Sequence, residues 1–309
     1  MFKIFVDGLE GTTGLQILDY LTKRRDIELL KIDSDKRKDL NARAELINAS
    51  DLTFLCLPDD AARQSVSLCT NPKTCIIDAS TAHRVHPAWV YGLPELCAEQ
   101  REKIKNARRI ANPGCHASAF ILAVRPLIEK NILKNTAKIM AHSLTGYSGG
   151  GKKMIAEYEE KPQKEHLKSP RPYALNLAHK HLPEMQFYAG LKNAPTFLPI
   201  VADYFKGLSV CVFFNSADFN SNFSAEDIQN ALKEYYKNSP FIRVLPLDFQ
   251  NNFWDIQQNN SSNFVDLQLL NNGEHFILMS RLDNLGKGAS GAAIQSMNIY
   301  FGLPENTGL

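Results

Sequence analysis

An apolar run, Phe2-Lys3-Ile4-Phe5-Val6, leads straight into Asp7-Gly8-Leu9-Glu10-Gly11-Thr12-Thr13-Gly14, whose glycines are spaced three apart. Glycine carries no Cβ, so such a turn can be tight and its backbone can approach a bound group closely. Helical spacing over Leu15 to Thr22 follows, so the turn opens a helix, and free amides at a helix N-terminus attract anions. Strand, glycine turn and helix in this order point to the pyrophosphate of a dinucleotide, held by Gly8, Gly11, Thr12, Thr13 and Gly14. A purely structural turn is the alternative, and the position between strand and helix weighs against it.

A second apolar stretch, Ile27 to Ile32, completes a βαβ unit. A helix over Lys38 to Asn48 and buried strands at Leu52 to Leu57 and Thr74 to Asp78 extend it, so the amino-terminal part is predicted to be a Rossmann-like domain with a parallel sheet. At 309 residues the chain exceeds what one core usually serves, and two domains are expected. Beyond Cys115 the pattern becomes α+β: a helix about Ala117 to Lys130, a strand at Ala137 to Ser143, a glycine-rich loop, and strands at Thr196 to Val201, Leu208 to Asn215 and His275 to Asp283. These are spaced for an antiparallel sheet covered by helices. The asparagine-rich piece Gln250 to Asn263 reads as a solvated loop or an edge segment, and Ser290 to Tyr300 as a last helix.

With 35 basic against 33 acidic residues the net charge is +2, which gives no reason to expect nucleic acid or a membrane as partner and favours small-molecule ligands. Six cysteines form no CxxC pair, arguing against a zinc site or a disulfide scaffold and for a reducing compartment. Met1 runs directly into the first strand, without the pattern of a signal peptide. No window approaches the roughly 20 apolar residues of a membrane span, and a cytoplasmic location is expected.

The cofactor's ribose should meet the end of the second strand, at Lys31-Ile32-Asp33-Ser34-Asp35-Lys36-Arg37-Lys38. Asp33 suits the 2′-hydroxyl of NAD, whereas Ser34 with Lys36 or Arg37 suits the 2′-phosphate of NADP. The balance leans toward NADP, against the alternative of a solvated charged turn.

Asn112-Pro113-Gly114-Cys115-His116-Ala117-Ser118 delivers a cysteine to the start of an apolar helix. Helix amides favour the thiolate and can hold an oxyanion that develops beside the sulfur. Cys56, Cys75 and Cys211 read as space-fillers instead. An acid–base partner is offered by His179-Lys180-His181-Leu182-Pro183-Glu184, a pair of histidines that would otherwise suggest a metal but lacks further clustered ligands. His83, His86, His142, His166 and His275 read as surface or capping residues. Asp78-Ala79-Ser80-Thr81-Ala82-His83-Arg84 ends in an arginine suited to a phosphate or carboxylate. The hydroxyl-rich loop from Ser143 through Tyr147 to Lys152 would line a substrate pocket, unless either stretch is only a turn.

Taken with Leu57-Pro58-Asp59-Asp60-Ala61-Ala62, Tyr91-Gly92-Leu93-Pro94-Glu95, Ser148 to Lys152 and Asp283-Asn284-Leu285-Gly286-Lys287-Gly288-Ala289-Ser290-Gly291, these motifs make the chain resemble, nearly end to end, the N-acetyl-gamma-glutamyl-phosphate reductases, in particular their shorter form. The resemblance implies a glyceraldehyde-3-phosphate-dehydrogenase-like architecture. It would have an NADP-binding Rossmann domain at 1–114 and 288–309 and an α+β catalytic, substrate and dimerisation domain at 115–287. It implies NADPH-dependent reduction of an acyl phosphate to an aldehyde in arginine biosynthesis. Cys115 would be the nucleophile, a histidine of the His179/His181 pair the general base with His181 preferred, and Arg84 the substrate anchor. Pro58, Ser80, Asn284 and Gly288 would join the glycine loop, Ser34 and Arg37 at the cofactor. A homodimer or homotetramer and no metal are implied as well. His116 stands where the longer form commonly has an aromatic, and His-Lys-His replaces the commoner His-Arg-His. The enzymatic rivals are aspartate-semialdehyde dehydrogenase and a lysine-pathway homologue, and the non-enzymatic one is a dinucleotide-binding sensor.

Overall fold

A computed structural model of the chain describes residues 1–248 and 253–309. They form two compact units, Met1–Gly114 with Ala289–Leu309, and Cys115–Gly288.

In the first unit β1 (Phe2–Asp7), α1 (Thr12–Thr22) and β2 (Ile27–Leu30) are followed by α2 (Leu40–Ala49), β3 (Leu52–Leu55), α3 (Asp59–Leu68), β4 (Cys75–Asp78), β5 (Val90–Tyr91), α4 (Gln100–Lys105) and β6 (Arg109–Ala111). The strands pair in the order β2-β1-β3-β4-β6-β5, all parallel. Ile4, Val6, Phe54 and Ile77 pack with Ile17 and Leu21 of α1 and with Ile294 and Met297 of the last helix, Gly291–Tyr300. Leu55 and Ile76 pack with Ala62 of α3 and with Trp89. Covered on both faces, the strands need continuous apolar runs, which is what the sequence supplies. At the end of β1 the buried Asp7 accepts hydrogen bonds from Arg43 of α2, 2.9 Å away, and from Ser65 of α3, also 2.9 Å. The ion pair fixes both helices against the strand that leads into the glycine turn.

In the second unit α5 (Cys115–Glu129) is followed by β7 (Met140–Gly146), α6 (Gly151–Glu159), β8 (Arg171–Pro172), α7 (Leu182–Ala189), β9 (Thr196–Ala202), β10 (Leu208–Asn215), α8 (Ala225–Tyr236), β11 (Ile242–Val244), β12 (Val265–Asn272) and β13 (His275–Leu282). The sheet order is β11-β12-β13-β10-β7-β9-β8. It is mixed rather than antiparallel: β7 runs parallel to β9 and β11 parallel to β12. The long connection from β7 through α6 and α7 acts as a crossover and returns the chain in the same direction. α5 packs on β10 and β13, flanked by α7 and α8, and residues 116 to 124 are buried. Pro126 sits within this helix. It has no N–H for the carbonyl of Leu122 one turn earlier, and the Tyr236 hydroxyl donates to that carbonyl at 2.7 Å.

Strand β12 carries Asp266 in register between Arg243 of β11 and Arg281 of β13, bonded at 2.6 and 2.8 Å. Of the asparagine-rich stretch, residues 250–252 lie outside the described residues. Of the remainder, Phe253, Asp255, Gln257, Gln258 and Ser261 are exposed, as in a solvated loop, whereas Asn259 and Asn263 are buried. Asn259 accepts from Arg243 and donates to the carbonyl of Arg281, and Trp254 lies 3.9 Å beneath the Arg281 guanidinium. Asn259 thus serves as a partner for this charge cluster. No helix among the described residues is long and apolar enough to cross a membrane.

Candidate active site

In the first unit the strand order reverses at β1, and ligand crevices of such sheets open beyond the strand ends at that reversal. Two of the three loop glycines are forced by the fold. Gly8 has φ +97°, and a Cβ there would lie 2.4 Å from the Cys56 carbonyl oxygen beyond β3; at Gly14 it would lie 2.5 Å from the carbonyl oxygen of Gly8. Gly11 is different. A Cβ on it meets nothing nearer than 3.8 Å, so the bare backbone there leaves room for something other than protein. The buried hydroxyl oxygen of Thr12, the first residue of α1, has no hydrogen-bond partner in the protein, and the helix has no side-chain cap. Open backbone, an unsatisfied hydroxyl and uncapped amides fit a phosphate group.

Around this loop, Pro58 caps α3, and Ser34 and Arg37 stand exposed in the turn after β2. The Arg37 guanidinium pairs with Glu10 of the glycine turn at 2.9 Å. Ser80 is buried, and its hydroxyl donates to Asp78 at 2.7 Å. His83 is not a surface residue: it is buried, shares a 2.6 Å hydrogen bond with Asp78 and stacks on Trp89 at 4.1 Å. Arg84 is buried too and donates to the carbonyl of Ala79 at 3.1 Å.

In the second unit Cys115 is the first residue of α5, half-buried. Gly288, after β13, lies directly on it: a Cβ at this glycine would come 2.7 Å from the cysteine Cβ. The turn holding Gly288 is tied by Asp283, whose carboxylate accepts from the amides of Ser261 and Leu285 and lies 3.1 Å from Lys206. Asn284 is buried, and its amide accepts from Gly207 and donates to Ser148, which joins this turn to the glycine-rich loop.

His116, next in the chain to Cys115, lies in a group of rings. His179 and His181 meet edge to face at 4.7 Å, and His116 lies 5.3 and 5.5 Å from them. The amide of His181 donates to Nδ1 of His179 at 3.2 Å, so that nitrogen is an acceptor and a neutral ring carries its proton on Nε2. Nε2 of His181 lies 3.9 Å from the carboxylate of buried Glu184, one turn into α7. A carboxylate behind a histidine orients the ring and supports its protonated form. His116 shares hydrogen bonds of 2.9 Å with Ser143 through Nδ1 and with Tyr173 through Nε2. Burial, and after it the electrostatic influence of His179 and Lys180, pushes its pKa down to about 3. Burial also raises the Tyr173 phenol, and the nearby charge of Cys115 raises it further.

The residues expected to line a substrate pocket fare unevenly. Ser143 is fully buried and hydrogen-bonded to His116. Tyr147 stacks on Tyr158 at 4.7 Å and meets Phe205 edge-on, so packing holds its ring; Lys152 is exposed in the first turn of α6. Glu184, His116 and Tyr173 join this group of side chains without having been named as candidates from the sequence. The three-residue spacing of His181 and Glu184 across a helix start was a usable signal. Among the described residues no group of three His, Cys, Asp or Glu side chains is arranged to hold a metal ion.

A dinucleotide-binding unit in one chain with a unit that carries a cysteine at a helix start and a histidine pair belongs to a class, the semialdehyde dehydrogenases. Their NAD-binding domain matches residues 3–107 and their dimerisation domain residues 115–284. The fold agrees: aspartate semialdehyde dehydrogenases from Francisella tularensis and, in complex with NADP, Candida albicans superpose with TM-scores of 0.73 and 0.70. They are 12% and 15% identical, over 97% of this chain and, for the former, 99% of the other. Within that class, the chain belongs to the N-acetyl-gamma-glutamyl-phosphate reductase family. It is 44% identical to N-acetyl-gamma-glutamyl-phosphate reductase 2 of Nostoc sp. over 99% of both chains, and 40% identical to that of Pseudomonas putida over 99% of this chain and 98% of the other. The chain is accordingly an oxidoreductase that uses a nicotinamide dinucleotide.

Proposed function

We propose that the chain reduces N-acetyl-L-glutamyl 5-phosphate to N-acetyl-L-glutamate 5-semialdehyde with release of phosphate, a step of arginine biosynthesis, and that its dinucleotide is NADPH. The observation that carries the reading is Cys115 at the first turn of α5, followed by His116, whose ring lies 5.3 and 5.5 Å from a histidine pair of which His181 is backed by buried Glu184. The names of the relatives supply the substrate.

His181 takes the Cys115 proton, and the thiolate attacks the acyl carbon. The bond to phosphate breaks with its electron pair, and the proton passes from His181 to the departing phosphate, leaving a thioester. The reduced nicotinamide, when bound, supplies the hydride that turns this thioester into a thiohemiacetal anion. Amides at the start of α5 stabilise that anion. Its carbonyl then re-forms as the carbon–sulfur bond breaks, which frees the aldehyde and the Cys115 thiolate. Arg84 anchors the substrate's carboxylate or phosphate. Gly8 to Gly14 receive the pyrophosphate, where the bare backbone at Gly11 and the hydroxyl of Thr12 support the assignment. Ser34 and Arg37 receive the 2′-phosphate, and Pro58, Ser80, Asn284 and Gly288 complete the cofactor's surroundings.

That no disulfide joins any of the six cysteines supports a cytoplasmic location. The match of residues 115–284 to a dimerisation domain supports a homodimer or homotetramer. A substrate panel tests the reading: the enzyme oxidises N-acetylglutamate 5-semialdehyde with phosphate and NADP and leaves aspartate semialdehyde untouched. Preference for aspartate semialdehyde, or for NAD, contradicts it.

A further inference from the structure

Asp283 takes no part in the mechanism above, yet it is fully buried and both of its carboxylate oxygens are engaged. Oδ1 accepts from the amide of Leu285 at 2.9 Å and Oδ2 from the amide of Ser261 at 2.7 Å, with the Lys206 ammonium 3.1 Å away. A carboxylate taken out of water is costly unless it is paired and hydrogen-bonded. Here the partners come from three stretches of chain: the turn after β13, the Lys206-Gly207 turn between β9 and β10, and the asparagine-rich segment. These stretches also bind one another. Lys206 donates to the Ser261 hydroxyl, and its carbonyl accepts from Asn260, each at 2.8 Å. Ser261 holds φ +62°, an uncommon conformation for a serine, and its amide and hydroxyl are the groups committed to Asp283 and Lys206. Backbone strain of this kind gathers where a site needs firm placement.

What is placed is the wall behind the cysteine. The backbone carbonyl of Asp283 accepts from the Gly288 amide at 3.0 Å, which closes the turn, and a Cβ on Gly288 would stand 2.7 Å from that of Cys115. With its N–H committed inside the turn, Gly288 meets the cysteine by shape alone. The turn is seated on the asparagine-rich segment as well, since a Cβ at Gly286 would stand 2.5 Å from the carbonyl oxygen of Ser262. We infer that Asp283 is a positioning residue for Cys115: braced by Lys206 and the asparagine-rich segment, it fixes the turn whose Gly288 keeps the cysteine side chain in register with the amides at the start of α5. Every link from Lys206 to Gly288 is made by the protein before substrate arrives. The asparagine-rich segment, which the mechanism leaves idle, thereby acquires a part in the site.

The inference rests on Cys115 being the reactive thiol of the proposed reaction, so its test is read without substrate. The pH profile of iodoacetamide alkylation at Cys115, followed by peptide mass spectrometry, is compared in the natural chain, Asp283→Asn, Lys206→Met, the double variant and Lys206→Arg. Charge alone would move the first two in opposite directions: removing the carboxylate favours the thiolate, and removing the ammonium disfavours it. Loss of placement takes the sulfur away from the helix amides in both, so both midpoints move to higher pH, on the order of one unit. The double variant moves no further than the larger single shift, because both changes release the same turn, and Lys206→Arg stays near the natural chain. In the reductase assay the two single variants lose on the order of 10-fold in kcat with little change in KM for the acyl substrate. Midpoints that move in opposite directions, or that stay at the natural value, overturn the inference. Should Asp283→Asn fail to fold, Lys206→Met and Asn260→Ala, at half-buried positions, carry the same test: an unmoved midpoint in both overturns it. Absence of any reductase activity in the natural chain would instead overturn the proposed function and leave the alkylation result standing.

Discussion

Gly288 lies against Cys115 so closely that a Cβ on the glycine would stand 2.7 Å from the cysteine's own. The backbone after β13 thus forms one wall of the reactive thiol's setting, and an alanine there must push either the turn or the first residue of α5. Gly288→Ala is expected to cost about 1–3 kcal/mol of stability through overpacking. Because a shift of 1 Å at a reacting group is costly, it should also reduce kcat on the order of 10²-fold. Thermal melting and steady-state kinetics check both; a variant of natural activity would show that the turn yields without moving Cys115.

Arg37 and Glu10 compete in the account of cofactor choice. Glu10 holds the guanidinium at 2.9 Å on an exposed surface, where the pair itself contributes little to stability. Arg37→Ala is expected to raise KM for NADPH about 10-fold, near 1.4 kcal/mol, with KM for NADH unchanged. Glu10→Ala, which releases the guanidinium, should lower KM for NADPH. Equal effects on both cofactors would remove Arg37 from the 2′-phosphate.

His116 also sets a pH dependence of stability. Its pKa lies at about 3 in the fold and near 6.5 in the unfolded chain. The depressed value means that the folded state refuses a proton the unfolded state accepts, so stability is complete above about pH 6.5 and falls as the pH drops toward 3. Between pH 6.5 and 4.5 this one group should account for a loss of about 2–3 kcal/mol. Urea unfolding at the two pH values, in the natural chain and in His116→Phe, reads it as the difference in slopes. Identical slopes would mean that the ring is not neutral and buried as described.

Tyr236 and Pro126 should be coupled. The tyrosine hydroxyl serves the Leu122 carbonyl that Pro126 leaves without a helical donor. Tyr236→Phe should cost about 1–2 kcal/mol and leave kcat unchanged. In a Pro126→Ala background, where an N–H is restored, the cost should largely vanish. A double-mutant cycle on urea midpoints measures the coupling, and additive losses would contradict it.

Much of the nucleotide unit was legible because its strands are covered on both faces and read as plain apolar runs: Phe2 to Val6, Leu52 to Leu55 and Cys75 to Asp78 need no tertiary knowledge. The second unit was harder. Strand β12, Val265-Asp266-Leu267-Gln268-Leu269, went unseen because its polar side chains are buried rather than solvated. Asp266 is there for Arg243 and Arg281, which only the register of the neighbouring strands reveals. The direction of β9 beside β7 was lost for a related reason, since a parallel return depends on where the intervening helices pack. In the candidate site, Cys115 and the His179/His181 pair could be named from chemistry and spacing. His116 and Tyr173 could not, because their hydrogen bonds span 27 and 57 residues of sequence.

The central claim is that a thioester on Cys115 links acyl phosphate to aldehyde. Run in reverse, N-acetylglutamate 5-semialdehyde should sustain turnover of NADP only when phosphate is present, with a single equivalent of NADP per site reduced without it. When phosphate is withheld, the acylated Cys115 peptide should accumulate and be visible by mass spectrometry. Cys115→Ser is expected to abolish both the turnover and the acylated peptide while retaining the fold and NADPH binding. Undiminished turnover in Cys115→Ser, or acylation at one of the other five cysteines, would contradict the account.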